Sequence, residues 1–204
     1  MYTQSGRSMV EMLGVLAIIG VLSVGAISGY SKAMNKYKLN KAIDAANHLF
    51  ASVVTNVVPD NSVLSDDSEV YYTETMAKAG WLPDGLTFRE ADPRFADDAF
   101  NNPVWIFKKP AKAVGVGWGF MRGQKALCMA FVNLAKEWQN DIDLISIDHH
   151  SEDIEDKSYG RLYGNKSCSA NVKCLKDVTV TEIDTVCNNC ENWVCRFYFH
   201  FNKF

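Results

Sequence analysis

The first quarter of the chain has no proline, its first half has no cysteine, and neither sign of charge is in large excess. Without proline, one helix can cover almost all of the residues that precede Pro59. With 21 basic and 24 acidic residues the formal net charge is −3, which provides no field for attracting nucleic acid. The 204 residues can bury one sizeable core with a small appendage, and no nucleic-acid partner is expected.

The first six residues also lack lysine and arginine, and no small-residue cleavage site follows the apolar run, so we do not expect an ordinary signal peptide. We therefore expect the apolar run that follows to stay on the protein. From Met12 to Ile27 this run is apolar around the whole helix, as in a membrane span. Glu11 precedes it, and a carboxylate in hydrocarbon costs about 2.5 kcal/mol or more. Glu11 is thus expected to have a function and a partner, the alternative being a plain anchor with an accidental glutamate.

Six cysteines lie in the second half of the chain: Cys128, Cys168, Cys174, Cys187, Cys190 and Cys195. An even number downstream of an apolar segment indicates disulfides in an oxidising compartment, with reduced thiols as the alternative. The sequence leaves their pairing open. Four lysines follow the apolar run: Lys32, Lys36, Lys38 and Lys41. By themselves they would place this end of the run in the cytoplasm. The cysteines indicate the opposite, oxidising side of the membrane, and we give them more weight.

Beyond Tyr30 the apolar residues recur at steps of three and four, which predicts one buried stripe on a continuing helix. The stripe consists of Leu39, Ala42, Ile43, Ala46, Leu49, Phe50, Val53, Val54 and Val57. Pro59 ends the helix at a length of roughly 50 residues. Its first half suits lipid or other helices, and its second half suits a globular core.

The remaining residues predict an α+β fold with an antiparallel sheet packed on the long helix. Residues 60–68 are expected to be a loop, residues 84–102 to be irregular, and short helices to cover Glu69–Ala79 and Gln124–Gln139. Strands are expected at Val104–Phe107, Val114–Phe120, Ile142–Ile147 and Val178–Ile183. The clearest strand follows Trp193, because Cys195, Phe197, Phe199 and Phe201 alternate with more polar residues.

The segment from Gly6 to about Lys38 resembles the N-terminal segment of type IV pilins. Gly6 matches the glycine that prepilin peptidase requires before its cut, and Arg7 would become the methylated mature N-terminus. Glu11 would then be the fifth mature residue, which in this family pairs with the N-terminal ammonium of a neighbouring subunit. Arg7 could add a second cation to that pair.

Four glycines interrupt the apolar run: Gly14, Gly20, Gly25 and Gly29. Each weakens the helix by up to about 1 kcal/mol relative to alanine, but each permits close helix packing, and Gly25 with Gly29 forms a small-xxx-small pair. The resemblance also implies local loosening of this segment in a filament and a C-terminal disulfide-bounded region over the sheet. It is most similar to the class IVb branch, in which Cys128 would join Cys187 or Cys190.

Rival interpretations of several motifs are less favoured. Cys187, Cys190, Cys195 and His200 have a spacing near that of a zinc knuckle, but Cys195 and His200 would point to opposite faces of a strand. The run from Asp148 to Asp153, with Asp156 beyond, is expected to be a solvated loop rather than a cation site. Gly115, Gly117 and Gly119 lack the pattern of a phosphate loop and indicate a strand. Five tryptophans could form a binding surface, but most are expected in the core and only Trp81 at the surface.

No nucleophile–base set is readable, so the chain is expected not to be an enzyme, and no cofactor or metal is expected. The predicted division is a leader at 1–6, an assembly segment at 7–30, an amphipathic helix at 31–58 and a globular head at 59–204. The resemblance implies a homo-oligomeric pilus subunit, with prepilin peptidase, inner-membrane assembly machinery and lipid as partners. It would occupy the bacterial inner membrane and then an extracellular pilus or periplasmic pseudopilus. A minor pilin or pseudopilin, and an anchored adhesive module that does not polymerise, are the alternatives.

Overall fold

The computed structural model describes residues 9–57, 70–108, 114–151 and 154–201, with the backbone alone for residues 150, 151 and 154–159. The chain divides into two compact units, Met1–Asn40 and Lys41–Phe204. The expected loop at 60–68 lies outside the described residues, as do Gly6 and Arg7.

One long helix, α1, runs from Met9 to Asn56. Its end at Asn56 agrees with the position of Pro59, since proline cannot donate the hydrogen bond that the helix interior requires. In the second unit its buried residues fall on one face at steps of three and four: Ala42, Ala45, Ala46, Leu49, Phe50 and Val53. The expected amphipathic stripe is thereby confirmed.

The head is built on an antiparallel sheet of eight strands. Short strands β1 (Val70–Tyr71), β2 (Thr87–Phe88) and β3 (Ala96–Asp97) precede the longer strands. These are β4 (Pro103–Lys108), β5 (Val114–Phe120), β6 (Ile142–Ser151), β7 (Ile154–Tyr163) and β8 (Val194–Phe201). The order across the sheet is β2-β3-β4-β5-β8-β6-β7, with β1 paired to β4, so the last strand in the chain lies near the middle.

The described part of the head contains three further helices, α2 (Thr73–Lys78), α3 (Lys125–Glu137) and α4 (Val180–Asn192), and a 3₁₀ turn at Leu175–Asp177. The architecture is therefore α+β with a long N-terminal helix and an antiparallel sheet, as the sequence predicts. The alternation in β8 is confirmed, because Cys195, Phe197, Phe199 and Phe201 are all buried.

Three local expectations are wrong. Residues 180–183 open helix α4 rather than a strand, and Val70–Tyr71 pair with β4 before a helix that begins only at Thr73. In α4, the Thr179 hydroxyl accepts a hydrogen bond from the Glu182 N–H while the Glu182 carboxylate accepts one from the Thr179 N–H. This capping box outweighs the β-branched composition of the segment. The supposed loop from Asp148 onward continues strand β6, whose partner β7 was not anticipated.

Candidate functional site

The first part of α1 is an unburied apolar helix. Its large apolar side chains from Met9 to Ile27 are between 49% and 86% exposed. By length and composition α1 can cross a membrane, and it is the one helix among the described residues that meets this description. Exposed apolar surface of this extent is typical of helices that contact lipid or other helices.

Glu11 lies in the first turn of this helix. At 3.6 residues per turn, Gly29 lies five turns after Glu11 and faces the same direction. Gly14 and Gly25 fall within about 60° of that direction, whereas Gly20 lies on the opposite side of the helix. The carboxylate and three of the four glycines therefore share one face.

The space beside these glycines is open. A Cβ atom added to any of the four would have no neighbour within 4 Å outside the helix's own backbone. Packing among the described residues therefore requires none of them to be glycine. Each instead offers a place where a second backbone can approach closely, which is the usual role of small residues between membrane helices.

The second part of α1 is fixed in the head by aromatic packing. The Phe50 ring centroid lies 4.9 Å from that of Phe199 and 5.1 Å from that of Phe201, both on β8. The Trp138 ring packs edge-on against Phe50, and the Trp138 indole N–H donates to the Asn47 side-chain oxygen at 2.7 Å. Aromatic pairs of this geometry add about 0.5–1.5 kcal/mol each beyond the burial of their area.

All six cysteines form disulfides. Cys128 on α3 joins Cys187 on α4, one of the two pairings that the sequence resemblance implies. Cys190 joins Cys195 and links the end of α4 to the start of β8. The third bridge, Cys168–Cys174, closes a short loop after β7. The C-terminal region of the head is thus cross-linked to its core.

The disulfides also bear on the zinc interpretation. The side chains of His149, Cys190 and Cys195 are buried, and their potential ligand atoms lie within 4.8 Å of one another. Burial lowers the pKa of His149, which favours the neutral imidazole. Zinc is bound by thiolate, however, and both sulfur atoms are already used in a disulfide. This cluster therefore packs the junction of α4 and β8.

A groove of about 340 Å³ lies between α3, α4 and β7, with apolar walls formed by Val132, Leu162, Val178, Ile183 and Val186. The Lys173 ammonium at its rim pairs with the Glu182 carboxylate at 2.5 Å. This hydrogen bond, together with those from Thr179, lowers the pKa of Glu182 to about 2. The two charges at the rim thus compensate each other, and the groove presents mainly apolar surface.

A buried carboxylate that sequence patterns did not reveal organises the other end of the sheet. Asp98 accepts hydrogen bonds from the backbone N–H groups of Phe100 and Asn102, and from the side chains of Asn102 and Trp118, at 2.8–3.0 Å. Four donors satisfy an otherwise costly buried charge. The spacing Asp98 to Asn102 just before β4 was a signal for such a turn. Its role is to fix the start of that strand.

Comparisons with protein-family models, with curated proteins and with solved structures found no match to this chain. The candidate site considered below is the exposed helix, with Glu11, the glycines of its face and the apolar surface around them. Of the sequence-predicted site residues on α1, helical geometry places Glu11, Gly14, Gly25 and Gly29 along one face and Gly20 on the opposite face, while Gly6 and Arg7 lie outside the described residues.

Proposed function

We propose that this chain is a structural subunit of a type IV pilus, of the class IVb branch, that polymerises through the first part of α1. The observation that carries the proposal is the unburied apolar helix with Glu11 and three glycines on one face. Such a face can be removed from water either by lipid or by the same face of other copies of the chain. A pilus subunit uses both in turn, first in the inner membrane and then in the filament.

In this proposal prepilin peptidase cuts after Gly6, so that Arg7 carries the mature amino group and Glu11 is the fifth mature residue. The N-terminal ammonium of one subunit then pairs with the Glu11 carboxylate of a neighbour. A carboxylate removed from water is penalised unless a cation lies beside it, so this pair sets the axial register between subunits. The glycine face permits the backbones to approach.

The head supports the proposal by its construction. It is α+β, its sheet packs on the second part of α1 through Phe50, and disulfides brace its C-terminal region. Disulfides are typical of proteins outside the cytosol, as an extracellular filament requires. The chain is proposed to act as a structural protein and not as an enzyme, with the assembly machinery of the inner membrane as its further partner.

The first experiment is intact-mass measurement of the protein purified from its native membrane or filament. A chain cut after Gly6, with one added methyl group and three disulfides, is the expected result. A mature protein that retains Gly6 would favour the anchored adhesive module that does not polymerise. Abundance in sheared surface material separates a major pilin, which dominates it, from a minor pilin or pseudopilin.

The second experiment replaces Glu11 by Ala and compares it with Gly20→Ala, a change on the opposite face of the helix. Glu11→Ala is expected to abolish filaments while the protein stays in the membrane fraction after alkaline washing. The Gly20→Ala variant is expected to assemble. Normal filaments from Glu11→Ala would overturn the proposed assembly mechanism.

A further inference from the structure

The part of α1 that follows the apolar run carries lysines and tyrosines, and no acidic residue occurs between Met12 and Ile43. Lys32 and Lys36 are exposed on the helix, and Tyr30 and Tyr37 are 66% and 61% exposed. Tyrosine is enriched where a membrane helix enters the headgroup layer, because its ring is apolar and its hydroxyl is polar. Tyr30, about 4.5 Å beyond Ile27 along the helix, therefore marks the depth of the membrane boundary along α1.

The spacing along the helix separates residues that can reach headgroups from those that lie farther out. At 1.5 Å per residue, Lys32 lies about 7.5 Å beyond Ile27 and Lys36 about 13.5 Å beyond it. The headgroup layer of one leaflet is roughly 5–7 Å thick. The backbone of Lys32 thus lies at the outer edge of this layer, and the long side chains of Lys32 and Lys36 can extend back into it. Both lysines project from the same helix face, being four residues apart.

We propose that Lys32 and Lys36 form a binding site for the phosphodiester headgroups of anionic phospholipids. The site rests on the membrane insertion in the proposed function, but not on polymerisation. Charge complementarity identifies the occupant: the helix from residue 12 to residue 43 carries four lysines and no carboxylate. Clusters of lysine next to a membrane span attract anionic lipid, by about fivefold in affinity per lysine near the surface.

Headgroup binding gives the two lysines a role that is separate from setting the orientation of the chain in the membrane. Lys32 and Lys36 then lie on the same side of the membrane as the disulfide-bonded head. Their contacts with headgroups keep α1 at a fixed depth in the bilayer until the subunit leaves it. Removing a subunit from the membrane then requires breaking contacts to lipid phosphates as well as exposing apolar surface. The lipid composition of the membrane would in this way influence how readily subunits enter a filament.

The test uses the full-length protein reconstituted in phosphatidylcholine vesicles that contain phosphatidylglycerol. Spin-labelled forms of the two lipids report their relative association constants with the protein. The unmodified chain is expected to prefer phosphatidylglycerol, and Lys32→Gln with Lys36→Gln is expected to reduce that preference by about fivefold for each lysine removed. Lys78→Gln with Lys176→Gln removes the same charge from exposed positions of the head and is expected to keep the preference.

Three results would overturn the proposal: equal association of the two lipids with the unmodified chain, an unchanged preference in the Lys32/Lys36 variant, or the same loss in the head variant. Inorganic phosphate that abolishes the preference more strongly than chloride at equal ionic strength would show a site for free phosphate instead. Resistance of the reconstituted protein to alkaline extraction is measured in parallel. An extractable protein contradicts the membrane insertion itself, whereas a resistant protein without lipid preference contradicts this inference alone.

Discussion

The indole ring of Trp105 on β4 lies across Gly117 on β5, where a side chain would otherwise stand. A Cβ atom at Gly117 would be 2.0 Å from Trp105 Cε2, far inside contact distance. The ring reaches over the glycine to Tyr198 on β8, with the ring centroids 5.6 Å apart. Because the glycines of β5 have no side chain, aromatic rings on β4 can contact aromatic rings on β8 across β5.

Replacing Gly117 by Ala is expected to destabilise the head by about 1–3 kcal/mol, because Trp105 must move from a packed position. For a chain of this size that corresponds to a fall in Tm of roughly 2–4 °C per kcal/mol. Gly160→Ala, on β7, is the control, since an added Cβ there has no neighbour within 4 Å. Thermal unfolding followed by near-ultraviolet circular dichroism measures both, and equal Tm values would contradict the packing argument.

The disulfide between Cys128 and Cys187 is expected to stabilise the head more than the other bridges do. It spans 59 residues, whereas Cys190–Cys195 spans five. In the chain-entropy account a loop of the first length is worth about 4 kcal/mol and one of the second about 2 kcal/mol. Paired Cys→Ala variants compared by urea unfolding should show the larger loss for Cys128/Cys187, and the reverse order would exclude the entropic explanation.

Acid is expected to weaken the start of α4 through Glu182. The pKa of this carboxyl is about 2 in the folded protein, against 4.5 as its ordinary value, chiefly because it accepts a hydrogen bond from Lys173. Its contribution to stability is therefore complete above pH 4.5 and is lost as the pH falls toward 2. Exposure of the pair to solvent keeps the effect small and salt-sensitive.

Glu182→Gln should accordingly flatten the dependence of the urea midpoint on pH between 4.5 and 2, while leaving the curve above pH 5 nearly parallel. Lys173→Met removes the largest cause of the lowered pKa and should act in the same direction to a smaller extent. Superimposable curves for all three proteins would mean that this carboxyl does not titrate differently in the folded and unfolded chain.

Self-association of the apolar helix is expected to depend on which side of it is changed. Gly25→Leu fills the face shared with Glu11 and should weaken association of the full-length protein in vesicles by about tenfold, or about 1.4 kcal/mol. Gly20→Leu makes the same chemical change on the opposite side and should have much less effect. Energy transfer between labelled copies measures both, and equal weakening would show that the Glu11 face is not the contact.

The long helix and the central strand were predictable because their patterns are strong. A stretch of 58 residues without proline and a stripe at helical spacing define α1, and strict alternation from Cys195 to Phe201 defines β8. For α4, β-branched residues at 178–181 suggested a strand, whereas the capping box of Thr179 and Glu182 was the stronger signal. Strand β7 carries charged residues and a glycine, so its pairing with β6 had no readable pattern.

The candidate site was predictable in part. Glu11 and the glycines are visible in the sequence because a charge and helix-weakening residues are unexpected in an apolar run. Helical geometry then shows that Gly20 lies on the opposite side of α1 from Gly14, Gly25 and Gly29. The order of these residues in the sequence does not show this by itself. Asp98 was missed because its four hydrogen-bond donors come from three residues, the farthest 20 positions away.

Strand β8 lies between β5 and β6 but is synthesised after both, so the sheet lacks a central strand until β8 has been made. About 140 residues separate the end of α1 from this strand, and ribosomes add roughly 5–20 residues per second. For roughly 7 to 28 seconds, then, the long helix has already been synthesised while the sheet lacks the strand on which that helix packs. During that interval Phe50 and the facing core surface have no native partner on β8, and the growing head needs protection from aggregation until its last strand arrives.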